Sequence, residues 1–182
     1  MITPISSFSE IEIVPNSLVI LDIDETVLTF PQITKNWWKE KISYYYDLTT
    51  DIDLAEKYAL DEWRRIVFST DPIQLDSINQ LKFIEKIYQN NCELIFLTAR
   101  NEDLSCITYK HLKHINIDNR HLVYFDENKG EKFYEIVSTV YPNCENITFV
   151  DDLIINLDKI VNAVKKYALT AKNIKLYHMA HK

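Results

Sequence analysis

Four groups of residues in this chain could do chemistry together. Asp22-Ile23-Asp24-Glu25-Thr26 puts two carboxylates two positions apart at the end of an apolar run. Thr98-Ala99-Arg100 follows a second run, Lys129 stands behind a third, and Asp151-Asp152 closes a fourth, with Asn156 a helical turn further on. If these four ends meet in one crevice, Asp22, Asp24, Asp151 and Asp152 crowd a single site. Like charges that close raise one another's pKa and destabilise the fold unless a cation offsets them. Oxygen donors select a hard ion, Mg²⁺, and Lys129 adds a further positive charge. No His or Cys cluster converges on the same point, which disfavours zinc.

The elements that must position these groups can be read from periodicity. Leu18–Ile23, Glu93–Leu97, His121–Phe125, Ile147–Val150 and Ile174–His178 read as strands. The first four are almost continuously apolar, as strands covered on both faces are. Helical patterns fill the gaps. Ser77 with Gln80 reads as a capping box, followed by Ile78, Leu81, Ile84 and Ile87 on one face. Leu104, Ile107, His111 (or Leu112) and Ile115 repeat the pattern, as do Phe133, Ile136, Val137 and Val140, then Leu157, Ile160, Val161 and Val164. Strand alternating with helix predicts an α/β doubly wound, Rossmann-like parallel sheet. Ligands of such sheets bind outside the carboxyl ends of the strands, where all four groups lie.

One stretch breaks the alternation. Residues 31–72 carry no strand signal but two helical patterns, near Asn36–Asp47 and Asp53–Ser69. A connection of that length is usually functional. The expected division is a core of residues 1–30 and 73–182 with a small helical insertion at 31–72. Trp37, Trp38, Trp63 and Tyr44–Tyr46 all fall in the insertion, either as a packed seam between its helices or as a pocket wall. His111 and His114 have a spacing that could bind metal. They lie away from the strand ends and read as packing residues.

Composition narrows the chemistry further. The 182 residues include a single glycine, Gly130, where average usage gives roughly 13. Glycine-rich dinucleotide turns, phosphate loops and nucleophile elbows are therefore excluded. A net charge of −7 opposes nonspecific binding to nucleic acid or anionic membranes. Three cysteines without C-x-x-C spacing argue against a disulfide framework. The N-terminus reads as neither a secretory signal nor a membrane span, so a cytoplasmic setting is expected. Gly130 directly follows Lys129 and reads either as a positive-φ turn that delivers the lysine inward or as a plain turn leading a helix.

VILDIDET, IFLTAR, the lysine, and FVDD with its trailing Asn occur in that order from Leu18 to Asn156. Together they resemble the four motifs of the haloacid dehalogenase-like (HAD) phosphatase superfamily. The DIDET and FLTAR spellings are similar to its plant storage-protein-like and bacterial acid phosphatases. The resemblance implies strand order 3-2-1-4-5 and a small helical cap inserted after strand one. It implies a Mg²⁺-dependent phosphomonoester hydrolase acting through an aspartyl-phosphate on a small or medium phosphorylated substrate. Asp22 would be the nucleophile. Asp24 would be the acid and base, its backbone carbonyl a metal ligand. Thr98 would bond the phosphoryl group and Lys129 would neutralise charge. Asp22, Asp24, Asp152 and Asp151 are the candidate metal residues, and Asn156 would orient one of the carboxylates. Thr98, Arg100 and Thr26 are the candidate substrate contacts, with Arg100 alternatively a structural ion pair.

Two features depart from the pattern. Asp151 stands where glycine often precedes the key acid, which leaves open whether Asp151 or Asp152 touches the metal. The flap Val27-Leu28-Thr29-Phe30-Pro31 lacks its usual glycine and should be stiffer or shorter. The competing functional readings are another phosphotransferase of the superfamily and a non-enzymatic binding or effector protein on the same scaffold.

Overall fold

The apolar runs at Leu18–Leu21, Glu93–Thr98 and Asn146–Asp151 become strands buried on both sides, while Val123–Phe125 is half-buried at the sheet edge. The computed structural model describes residues 2–34, 36–118, 120–169 and 172–180. In chain order the strands are β1 (Ile2–Ile5), β2 (Leu18–Leu21), β3 (Leu28–Thr29), β4 (Ile73–Gln74), β5 (Glu93–Thr98), β6 (Val123–Phe125), β7 (Asn146–Asp151) and β8 (Asn173–Met179). The helices are α1 (Trp37–Thr49), α2 (Ile52–Ser69), α3 (Ser77–Gln89), α4 (Ser105–His114), α5 (Lys129–Glu135) and α6 (Ile154–Lys166), with α5 running on into a π-helical turn at Ile136–Val140.

Six strands form one sheet in the order β1-β8-β7-β2-β5-β6, and every neighbouring pair is parallel. Alternate side chains feed two separate cores. Val19, Leu21, Leu94, Phe96 and Val150 pack on one face. Leu18, Ile20, Ile95, Leu97, Ile147 and Phe149 pack on the other. That double burial is why the runs lack polar alternation. The N-terminal strand β1 extends the sheet beyond β8 and was not legible, since two of its four residues are exposed.

The connection after β2 leaves through β3 and returns through β4, which pair antiparallel with Leu28 opposite Gln74 and Thr29 opposite Ile73. Between them α1 and α2 form a helical hairpin. Thr50 ends α1 in the left-handed region, and the Asp51 side chain caps α2 by accepting from the Leu54 N–H at 3.1 Å. Ala55, Ala59, Trp63 and Val67, each one helical turn from the next, are the buried positions of α2. The Trp38 ring lies 5.1 Å from Trp37 and 6.0 Å from Trp63, so the tryptophans form a packed seam.

Three local expectations are corrected. The capping box at Ser77 does not form. The N-cap position of α3 is Asp76, in the left-handed region, and its carboxylate is used by Ser7, Phe8 and Asn79. Gln80 is instead fully buried, its amide nitrogen oriented to donate to the carbonyls of Leu75 and Val27. The buried face of α3 is Gln80, Phe83, Ile84 and Ile87, while Ile78 and Leu81 are exposed.

Gly130 is the third correction, because its φ is not positive. The residue lies buried in the first turn of α5, where a Cβ would meet the Lys159 carbonyl oxygen of α6 at 2.6 Å and its carbon at 3.0 Å. The close crossing of two helix backbones is what requires glycine. Gly130→Ala should force α5 away from α6 and lower stability by about 1–3 kcal/mol, a cost partly offset by alanine's better helix propensity. Urea denaturation measures it, and an unchanged midpoint would remove the close approach as the reason for this glycine.

Candidate active site

β2 sits between β5 and β7, so its C-terminal end opens onto the crevice where the chain leaves the sheet in both directions. Asp22 follows β2 directly, and its backbone N–H donates to the Val150 carbonyl at 2.9 Å. Its side chain is buried, with Oδ1 accepting from Lys129 Nζ at 2.5 Å and Oδ2 from Thr26 Oγ1 at 3.3 Å. Burial pushes the Asp22 carboxyl up to about 7, with Lys129 opposing the shift and Asp151 adding to it.

Lys129 is the first residue of α5 and is 1% exposed. Its ammonium spans Asp22 at 2.5 Å and Asp151 Oδ2 at 2.7 Å. Burial works against its charge, but the two carboxylates hold its pKa above the ordinary lysine value.

Asp151 ends β7 with no solvent exposure and has nearly all its acceptor capacity in use. Besides Lys129, Oδ1 accepts from the Leu153 N–H at 2.8 Å, and Asn156 Nδ2 reaches both oxygens at 3.1 and 3.2 Å. Asp152 differs. Its carbonyl accepts from His178 Nε2 at 2.8 Å, but its carboxylate has no hydrogen-bond donor among the described residues. Burial, then Asp22 and Asp151, push that carboxyl up to about 9. Carboxylate oxygens of Asp22, Asp151 and Asp152 all lie within 4.8 Å of one another.

This donor set fits a hard divalent cation. It is all oxygen, and Asp152 is a half-buried carboxylate with no donor to offset its charge. The structure also separates the two acids of the fourth motif. Asp151 is spent on Lys129, Leu153 and Asn156, whereas Asp152 is available.

Asp24 faces the other way. Arg100 Nε and Nη2 donate to its two oxygens, each at 2.7 Å, in a bidentate pair. Arg100 Nη1 reaches Thr108 Oγ1 at 3.1 Å and His111 Nδ1 at 3.3 Å. The guanidinium carbon lies 5.9 Å from both the Phe30 and the Trp63 rings. Arg100 is 3% exposed with all three nitrogens engaged, so its guanidinium is committed to the ion pair with Asp24 and to α4. Thr26 is also fully buried and addresses Asp22 instead of the crevice. Thr98 ends β5, buried, its Oγ1 accepting from the Arg100 N–H at 3.2 Å. Glu25 sits in the left-handed region at φ 55°. It accepts from Thr29 Oγ1, and burial raises its pKa.

Sequence reasoning missed His178 and Thr108, and it read His111 as a packing residue without its contact to Arg100. His178 reaches the fourth motif only because β8 pairs with β7 in register, opposite Asp151. Thr108 and His111 hold Arg100 from one side of α4, where the apolar pattern gave no sign of a buried polar contact.

A family model described as "Protein of unknown function (DUF2608)" matches residues 2–122. No curated protein matches the chain. Among solved structures, the chain is similar to the HAD domain of the Legionella pneumophila effector protein Lem4, as an inactive mutant. That match has TM-score 0.54 and 14% identity over 92% of this chain and 87% of the other. A second structure of the Lem4 domain gives TM-score 0.51 and 15% identity over 90% and 85%. The class C acid phosphatase of Bacillus anthracis gives TM-score 0.53 and 16% identity over 92% and 69%. At such identities the likeness establishes a HAD-like fold.

Proposed function

The chain belongs to the DUF2608 family, and on its HAD-like fold we propose that it is a phosphomonoester hydrolase acting through an aspartyl-phosphate on Asp22. The observation that carries the reading is Lys129, buried between Asp22 and Asp151 beside the uncompensated carboxylate of Asp152. A structural ion pair needs one acid per base. Three acids around one lysine suit a site that receives a cation and a phosphoryl group.

Asp22 and Asp152 would hold Mg²⁺, with the Asp24 backbone carbonyl as a further oxygen donor. When bound, the ion supplies charge stabilisation for the phosphoryl oxygens and favours ionised Asp22. Asp22 attacks phosphorus, forming an O–P bond as the ester O–P bond breaks. Asp24 gives its proton to the departing alkoxide, then takes one from the water that hydrolyses the acyl phosphate, releasing inorganic phosphate and restoring Asp22. Thr98 bonds the phosphoryl oxygens, and Lys129 offsets their charge. Asn156 and the Leu153 N–H fix Asp151, which in turn fixes Lys129.

Asp24 can carry a proton only if part of its Arg100 pair opens. Trp63 of α2 lies against that guanidinium, so residues 31–72 act as a cap whose movement over the 1–30 and 73–182 core is felt at Asp24. Arg100 thus positions the acid rather than the substrate. A hairpin of this size points to a small or medium phosphomonoester as the substrate.

The test is hydrolysis of para-nitrophenyl phosphate and of a panel of phosphorylated metabolites with Mg²⁺. Turnover is expected, and EDTA should abolish it. An absence of turnover across the panel would overturn the hydrolase and favour a binding or effector protein on this scaffold.

A further inference from the structure

A cleft lies outside the crevice. About 530 Å³ in volume, it opens between the C-terminal end of α2 and the side of α4, and none of Asp22, Thr98, Lys129 or Asp152 lines it. Although the chain carries net charge −7, this wall presents Lys110 and Lys113, both exposed. Neither side chain has a hydrogen-bond or ion-pair partner among the described residues. The acid of the cleft, Asp71, faces His114 Nδ1 at 3.9 Å. Two unpaired cations beside low-dielectric walls concentrate an anion.

The same cleft has a fixed hydrogen-bond donor. His111 is buried, and its Nδ1 faces Arg100 Nη1 at 3.3 Å. A guanidinium only donates, so Nδ1 accepts and the ring proton stands on Nε2. No described residue takes that proton, and His111 lines the cleft. Burial, then the neighbouring Arg100, lower the His111 pKa to about 4, which keeps this tautomer neutral. The Phe68 ring, 57% exposed, and Ile107 give the cleft an apolar wall. Its volume is in the range of small-molecule sites.

We propose that this cleft binds a small, flat organic anion, its charged group met by Lys110, Lys113 and the His111 Nε2–H, its ring packed on Phe68. The proposal stands whether or not the crevice hydrolyses phosphomonoesters.

Calorimetric titration of the full chain with naphthalene-1-sulfonate, which has no phosphoryl group to lose, tests it. Binding at millimolar or lower concentration is expected. The Lys110→Ala/Lys113→Ala double variant should weaken it at least about tenfold, with circular dichroism unchanged because both side chains are exposed. Phe68→Ala should also weaken it, and Asp22→Asn should leave it unaltered. Failure of the wild-type chain to bind, equal binding by the double lysine variant, or displacement by orthovanadate with Mg²⁺ would each overturn the site.

Discussion

Asp22→Asn is expected to lower turnover of an aryl phosphate by at least about 10³-fold while the fold persists. The amide is isosteric, so its oxygen can still accept from Lys129 Nζ, now 2.5 Å from Asp22 Oδ1. Its nitrogen would then face Thr26 Oγ1, which can turn to accept. The change also removes one of three crowded carboxylates, which offsets the lost ion pair. The thermal midpoint should therefore move by no more than about 5 °C in either direction. What the amide cannot do is attack phosphorus. Initial rates together with circular dichroism separate chemistry from folding. A folded variant with wild-type turnover would remove Asp22 as nucleophile and with it the aspartyl-phosphate.

The crevice was readable in the sequence because strand ends and acids are local signals. An apolar run followed by Asp22-Ile23-Asp24 states both the strand and what it presents. The same holds for Thr98, and for Asp151-Asp152 after β7. Lys129 was readable as a charge but not as a buried one. Its burial depends on α5 lying close to α6, and that depends on Gly130 meeting the Lys159 carbonyl. The lone glycine thus serves the site through helix packing rather than through a left-handed turn.

What was not legible shares one cause: the contact is made across distant segments. Arg100 follows its motif by rule, yet its commitment to Asp24, Thr108 and His111 needs α4 folded back on the crevice. Asp76 looks like a residue before a capping box, but the N-terminal segment at Ser7 and Phe8 claims its carboxylate. Gln80 reads as the capping-box partner of Ser77. It is buried where its amide can donate to the Leu75 carbonyl, beside the β3–β4 ladder, and share the Val27 carbonyl with the Leu75 N–H. In each case tertiary hydrogen bonding overrode a local preference.

Lys129→Met is expected to be the most destabilising change at the site, and in a way that depends on pH and on Mg²⁺. Methionine keeps the volume and removes the charge that now spans Asp22 and Asp151. Breaking a buried pair in this way costs about 3–5 kcal/mol. In the wild-type chain, burial already pushes Asp22 up to about 7 and Asp152 up to about 9. A carboxyl whose folded pKa lies above its unfolded value, near 4, contributes its stability fully below pH 4. That contribution is lost as pH rises through the folded value. Without a divalent cation, wild-type stability should fall between pH 5.5 and pH 8.5. In Lys129→Met the fall should be steeper, since the ammonium that opposes the Asp22 shift is gone. Mg²⁺ acts in the opposite sense because it favours the ionised carboxylates, so its stabilising effect should be larger at pH 8.5 than at pH 5.5. Urea denaturation of both proteins at the two pH values, with Mg²⁺ and with EDTA, resolves these contributions. If Lys129→Met matches the wild type at pH 8.5 in EDTA, the lysine is not what holds the acids together. If Mg²⁺ stabilises equally at both pH values, the ion is not bound by Asp22 and Asp152.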